Sequence, residues 1–269
     1  MAQLKNKQTW NRYWRSYFST LGSRGVALEL TKIEKELYSR YIKGAVINPC
    51  CGYGREMLAL SHQIERGLGF DFSYEAIEIA TRIAKGHAKH IKFKRDTLEY
   101  ISVNDQYDVM LITPGSLWWI HDLGAITKLA SSCGVTMIAV LEFHPGIRRY
   151  CDDGLTPREF RGKGIPRSIE GGLTPYWQDC YHNGRPLGES PPISTLGSIV
   201  EYEWTYDDIS NHFSSNNFCL SVEQHFPFSI REKWFENAVE IKRDCFEYPQ
   251  FNGGAVMYFN LWTRQNLPT

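Results

Sequence analysis

The residues best placed to do chemistry lie in VINPCCGYGRE (46–56). An apolar run ends there, Gly52 and Gly54 follow in a tight turn, and an amphipathic stretch begins. Glycines at such a corner let the backbone approach a ligand closely and take angles that side chains resist. The same corner also occurs as a purely structural strand-to-helix turn, so its neighbours must decide. Asp71 ends the next expected strand, about 20 residues past the glycines, where a carboxylate can grip ribose hydroxyls. Asp96 ends the third, where a carboxylate can accept an adenine amino group. Either one also reads as a helix cap or a loop carboxylate. Their recurrence at successive strand ends is what carries the nucleoside reading.

A dinucleotide site would continue as G-x-G-x-x-G, with a third glycine for close helix packing and a helix end free for the diphosphate. Here Met57 stands at the third position, and Glu56 at the helix start would repel a diphosphate. S-adenosylmethionine carries no phosphate and tolerates an acidic helix start. The motif therefore favours a methyl donor over a nicotinamide cofactor.

Methyl transfer from a sulfonium needs alignment, exclusion of water and, for some acceptors, removal of a proton, so no fixed triad is expected. His121, Asp122, Glu142 and His144 fall at or just beyond expected strand ends, where ligands of open α/β sheets bind. Asp122 and Glu142 are candidates to pair with a cationic acceptor. His144 and His182 are candidate bases, with an intrinsic pKa of roughly 6.5. His144 also reads as a structural histidine ahead of Pro145. Aromatic residues supply a candidate acceptor wall: Trp14 and Tyr17 near the N-terminus, Trp118 and Trp119 after the fourth strand, and Tyr176, Trp177 and Tyr181 in TPYWQDCYH (174–182). Such rings can cage a cation, or simply form a mini-core that holds a long loop together.

These residues need a scaffold. GAVINPC (44–50), GLGFDF (67–72), IKFKRDT (91–97), YDVMLITPG (107–115) and VTMIAVLEFHP (135–145) read as strands. REMLALSHQIER (55–66), SYEAIEIATRIAKGHAKH (73–90), with Ser73 as N-cap, and residues 116–132 read as helices between them. That alternation predicts βαβ units and a parallel sheet with helices on both faces. Residues 8–42 read as helical, with an aromatic stripe at Trp10, Tyr13, Trp14, Tyr17 and Phe18 that suits either a packed helix or a lid. The pattern breaks in 146–198, rich in Gly, Pro, Arg and Ser; a stretch this long is a functional loop or small subdomain. IVEYEW (199–204), CLSVEQHFPFS (219–229) and AVMYFNLWTRQ (255–265) read as strands and residues 205–218 as a helix.

With NPCCGYG (48–54), GFDFS (69–73), PGSLWWIHDL (114–123), LEFHP (141–145) and YEWTYDDISNHF (202–213) in place, the chain resembles a class I S-adenosylmethionine-dependent methyltransferase, close to a small bacterial group with EFHP after the fifth strand. The resemblance implies that Asn48, Cys50, Gly52 and Gly54 line the methionine end of the cofactor. It implies that Asp71 and Phe72 hold the ribose and stack near adenine, that Asp96, Thr97 and Leu98 surround the adenine, and that Thr113, Pro114 and Gly115 form the floor below the sulfonium. It also implies that the last strand, around 255–265, runs antiparallel. The chain departs from the group in three places: Asn48 stands where the first strand usually ends in an acid, SSCG (131–134) replaces a Pro-Gly-Gly turn, and Thr205-Tyr206 replaces His-Ser.

The expected architecture is one Rossmann-like α/β domain over 1–269, with a seven-stranded, mostly parallel, doubly wound sheet. Within it, 1–43 is an N-terminal helical lid, 44–145 the cofactor-binding half, 146–204 a cap insertion and 205–269 the closing strands. Thirty basic residues balance thirty acidic ones, which gives no general attraction to nucleic acid. The amino-methyltransferase signature N-P-P-aromatic is absent after the fourth strand, where TPGS (113–116) stands. No run approaches the roughly 18 apolar residues of a membrane span, and the polar start is unlike a secretory signal. Seven scattered cysteines fit a reduced, cytoplasmic protein, with no zinc spacing and no metal expected. Cys50, Cys51, Cys151 and Cys180 read as small buried hydrophobes before they read as an arsenic-handling thiol set. The expected function is methylation of a small molecule with S-adenosylhomocysteine as co-product. The acceptor expected first is a small polar amine or guanidine, then a hydroxyl or carboxyl oxygen. A non-catalytic cofactor-binding protein is the remaining alternative, and the chain is expected to be a monomer or homodimer.

Overall fold

The computed structural model describes residues 10–12, 14–15, 28–30, 32–143, 165–169, 199–204, 206–227 and 255–265. The central strands are the apolar runs. In β1 (Gly44–Pro49) the last four residues are buried, and all four of β4 (Val109–Ile112) are. Strands buried on both faces need such continuous runs. With β2 (Ile64–Asp71), β3 (Ile91–Arg95), β5 (Met137–Phe143), β8 (Phe218–Pro227) and β9 (Ala255–Arg264) they form one seven-stranded sheet of order β3-β2-β1-β4-β5-β9-β8. β1 to β5 pair in parallel, and β9 runs antiparallel to both β5 and β8. The doubly wound sheet and the antiparallel last strand are those expected from the sequence.

Each face of the sheet buries its own core. On one side Val46, Leu111, Leu141 and Phe259 pack with Tyr38 of α1 (Lys32–Tyr41), Met57 of α2 (Arg55–Ala59), and Ala76 and Ala84 of α3 (Tyr74–His87). On the other, Ile47, Met110, Val140 and Trp262 pack with Ile126 of α4 (Leu123–Ser132) and Phe213 of α5 (Tyr206–Ser215). Ser73 caps α3 by accepting from Ala76 N at 3.3 Å, as its position suggests, and Lys85 and His87 in the last turn complement the helix dipole.

Three local expectations change. The helix expected over 55–66 stops at Ala59, because Ile64 already pairs with Gly44 and its successors continue β2. The helical reading of 8–42 divides: residues 10–12 and 14–15 are helical, residues 28–30 are not, and α1 is separate. β7 (Ile199–Glu203) does not join the main sheet; it pairs antiparallel with β6 (Ile165–Ile169), a strand the Gly/Pro-rich composition concealed. No helix among the described residues is long and apolar enough to cross a membrane.

The strand order reverses at β1, whose two neighbours are β2 and β4. Beyond the carboxyl ends of β1 and β4 the connections run to opposite faces and leave a crevice. The Gly52 corner and the turn after β4 stand at that crevice.

Candidate functional site

At the β1 corner Cys50, Gly52 and Gly54 all take left-handed backbone angles, with φ of 52°, 53° and 72°. The corner is pinned by Cys51 N donating to Phe70 O at 3.1 Å and Gly54 N to Cys51 O at 2.8 Å. Gly52 faces the indole of Trp14: a Cβ there would lie 3.2 Å from Cζ2, closer than side chains normally pack. Gly54 does different work from that expected. Its missing side chain, with that of Gly69, makes the slot that receives the Phe93 ring of β3. Gly54 therefore serves packing of the corner on the sheet.

Asp71 ends β2 with its carboxylate buried. Oδ2 accepts from Gly52 N at 3.0 Å and Oδ1 from Ser73 N at 2.9 Å, so it ties the glycine corner to the start of α3. Burial raises its pKa from 3.8 to about 6, against the pull of the N–H groups of Ser73, Gly52 and Phe72. With three N–H groups drawn to its two oxygens, the carboxylate keeps one lone pair for a ligand hydroxyl. Phe72 is half-buried against the first core.

Two other buried acceptors stand near the carboxyl ends of β1 and β3. The Asn48 carboxamide is fully buried, its Nδ2 donates to Leu111 O at 2.7 Å, and its Oδ1 has no hydrogen-bond partner among the described residues. Thr97 Oγ1 is likewise buried and unpartnered among them, beside buried Leu98. Asp96 has both oxygens engaged: Oδ1 accepts from Thr97 N at 2.9 Å and Oδ2 meets Lys94 Nζ at 2.8 Å.

The turn after β4 is held from β5. Gly115, with φ of 81°, donates its N–H to Glu142 Oε1 at 2.6 Å, and Leu117 N donates to Oε2 at 3.2 Å. Thr113 and Ser116 hydroxyls meet at 3.0 Å, and half-buried Pro114 lies between them. Glu142, expected to face a cationic acceptor, accepts one backbone N–H on each oxygen. Asp122, expected in the same role, is an exposed N-cap of α4, with Oδ1 accepting from Gly124 N at 2.8 Å. Each correction has one cause: a carboxylate beside unpaired loop N–H groups satisfies them first.

Aromatic residues gather over the crevice. Trp14 meets Tyr53 at 5.6 Å edge-on, Trp10 lies 6.0 Å from Trp14, and Trp119 meets Trp10 at 4.9 Å edge-on. The N-terminal segment is also tied by polar contacts to the start of α3. Tyr74 N donates to Asn11 Oδ1 at 3.1 Å and Arg15 Nη2 meets Glu75 Oε1 at 2.5 Å. Asn11, Arg15 and Tyr53 had no sequence signal beyond their place beside the stripe and the corner. His121 Nδ1 meets Glu99 Oε1 at 2.9 Å and bridges the loop after β3 to the turn after β4. Tyr17, His144, Tyr176, Trp177, Tyr181 and His182 lie outside the described residues, as does the side chain of Trp118.

Behind the corner Arg55 bonds Glu34 through Nη2 and meets Glu56 Oε1 at 2.7 Å, all three side chains buried. Burial opposes the guanidinium charge, and the two carboxylates overcome it and hold its pKa well above the ordinary value. Burial, helped by Asp71, pushes both the Cys50 and Cys51 thiols well up, so neither is a thiolate nucleophile near neutral pH. Among the described residues no set of three His, Cys, Asp or Glu side chains is gathered for a metal ion.

No protein-family model matches the chain, and no curated protein matches it. Solved structures do. Magnesium protoporphyrin IX methyltransferase from Synechocystis, solved with S-adenosylhomocysteine, aligns over 98% of this chain and 100% of its own at TM-score 0.56 and 13% identity. Geranyl diphosphate C-methyltransferase from Streptomyces coelicolor A3(2) aligns over 87% and 77% at 0.57 and 9%. An S-adenosylmethionine-dependent methyltransferase from Clostridium acetobutylicum aligns over 94% and 92% at 0.52 and 10%. The fold is the class I methyltransferase fold. At these identities the likeness is one of fold, and it covers nearly the whole length of the chain. The crevice at Gly52, Asp71 and the β4 turn stands where the order of the parallel strands reverses at β1.

Proposed function

We propose that this protein transfers a methyl group from S-adenosylmethionine to a small molecule. The observation that carries the reading is the set of buried acceptors near the carboxyl ends of β1, β2 and β3: Asn48 Oδ1 and Thr97 Oγ1 without partners among the described residues, and the Asp71 carboxylate. Buried polar atoms are normally satisfied, and these await hydrogen-bond donors of the kind that an ammonium, ribose hydroxyls and an adenine amino group carry. Neighbours of the same fold act, by their names, on geranyl diphosphate and magnesium protoporphyrin, both small molecules.

The cofactor supplies a methyl carbon already activated by its sulfonium. The chain's part is placement. Asp71 accepts from the ribose, Asn48 accepts at the methionine end, and Thr97 and Leu98 border the adenine. The turn at Thr113, Pro114 and Gly115 forms the floor. Trp10 and Trp14 roof the crevice and exclude water, which favours displacement at a cationic centre.

For the acceptor, a small polar amine or guanidine fits a wall of Trp14, Tyr17, Trp118, Trp119, Tyr176, Trp177 and Tyr181, with His144 or His182 taking the proton. A hydroxyl or carboxyl acceptor is the second reading, and one observation favours it: Glu142 and Asp122 accept backbone N–H bonds instead of facing an ammonium. Calorimetry with S-adenosylmethionine, S-adenosylhomocysteine and NAD tests the first claim, and binding of NAD alone would reverse it. Release of S-adenosylhomocysteine across a panel of amines, phenols and carboxylic acids tests the second. Cofactor binding with no turnover on any of them would favour a non-catalytic binding protein.

A further inference from the structure

Glu142 is 1% exposed and stands one residue before the end of β5. Its two oxygens reach across to the turn after the neighbouring strand and take the N–H groups of Gly115 and Leu117. That turn leaves the sheet at Ile112, past the last β4–β5 ladder pair, Ile112 with Val140. Gly115 within it holds a left-handed angle. Three residues past Ser116 the same turn closes with Trp119 N donating to Ser116 O at 3.1 Å, and the Trp119 ring packs edge-on to Trp10. Contact is continuous from a β5 carboxylate, through the turn, to the aromatic roof.

The side-chain type matters. A carboxylate offers acceptors on both arms, whereas a carboxamide offers one acceptor and turns an NH2 toward the second N–H. Bonds from N–H groups to an ionised oxygen are also the stronger kind. We infer that Glu142 is a positioning residue: it fixes the 113–119 turn, and with it the floor of the cofactor site and the place of Trp119 in the acceptor wall. What the turn holds rests on the methyl-transfer reading, while the fixing of the turn does not.

The full chain is compared with Glu142→Gln and with Val140→Ala, a core change on the same strand and face. Amide hydrogen exchange reads Gly115 and Leu117 directly. Both are protected in the wild type, and in Glu142→Gln they exchange at least about tenfold faster. Trp119 emission, taken as the difference from Trp119→Phe, shifts to the red in Glu142→Gln alone. Affinity for S-adenosylhomocysteine falls roughly tenfold in Glu142→Gln, and Val140→Ala lowers the unfolding midpoint with affinity retained. Fast exchange at Gly115 and Leu117 in the wild type overturns the inference, and so do unchanged exchange and affinity in Glu142→Gln or an equal affinity loss in Val140→Ala. If Glu142→Gln does not fold, wild-type exchange decides alone. If the wild type binds no S-adenosylhomocysteine, the functional reading fails, and exchange with Trp119 emission still decides the role of Glu142.

Discussion

Trp14 stands directly over Gly52, its Cζ2 3.2 Å from the point where a Cβ on that glycine would lie. An indole from the N-terminal segment thus packs directly on the corner. A ligand that runs along Gly52 has to displace that ring.

The first prediction follows from that close approach. Gly52 has φ of 53°, and a side chain in this region costs about 1–2 kcal/mol. Gly52→Ala is expected to lower unfolding stability by about that amount in urea titrations. It also places a methyl group in the ligand's path, so affinity for S-adenosylhomocysteine should fall more than the stability loss accounts for. Gly52→Val should be worse on both counts. A folded Gly52→Ala protein that binds at wild-type strength would remove Gly52 from the site.

Asp71 predicts a pH dependence. Burial raises its pKa to about 6, so between 3.8 and 6 the folded protein holds a proton that the unfolded chain has released. Its contribution to stability is therefore present below 3.8 and is lost as pH rises through about 6. Ligand binding runs the other way, because ribose hydroxyls donate best to the ionised form. Affinity for S-adenosylhomocysteine should rise from pH 5 to a plateau above 6, with proton release on binding at the lower pH. Calorimetry in buffers of different ionisation heat reads both, and a flat profile would sink the assignment. Asp71→Ala should cost roughly 1.5–3 kcal/mol of binding at pH 7.5.

The sheet was legible because β1, β4 and β5 are apolar runs, and Asn48, Asp71 and Asp96, at or next to the ends of β1, β2 and β3, also pointed to the crevice. The antiparallel β9 was not readable from its residues and came from the family resemblance. The hold of Glu142 on the β4 turn was not legible, because an acid at a strand end looks the same in sequence whether it faces a ligand or a neighbouring turn. Only the register that sets β5 beside β4 decides. Asp122 carried the same ambiguity and proved to be a cap. Phe93 gave no signal at all, since the slot it fills is made by Gly54 and Gly69 from two other elements.

The buried set behind the corner predicts a large stability effect. Arg55→Met would leave Glu34 and Glu56, 1% and 7% exposed, as two close carboxylates without their shared cation. Removing one member of a buried ion set typically costs about 3–5 kcal/mol, and that loss should appear in the urea midpoint. Glu34→Gln should cost less, because Arg55 keeps Glu56 at 2.7 Å. Equal losses in the two variants would show that Glu56 contributes little to holding Arg55.

The N-terminal segment predicts gated ligand exchange. Its polar ties include Asn11 to Tyr74 N and Arg15 to Glu75, and the Arg15 side chain is 74% exposed. An exposed pair contributes about 0–1 kcal/mol to stability and weakens in salt. Its rupture can still free the segment that carries Trp10 and Trp14 away from the crevice. Stopped-flow tryptophan emission should therefore show S-adenosylhomocysteine leaving several times faster from an Asn11→Ala/Arg15→Ala double variant, at nearly unchanged unfolding midpoint. Release from the wild type should quicken as ionic strength rises, and release from the double variant should not. Trp14→Ala should release ligand faster still and lose stability as well, because it empties a buried site whose truncation costs about 3–5 kcal/mol. Release rates that ignore both salt and these substitutions would mean that the segment only packs on the core and that ligand leaves by another route.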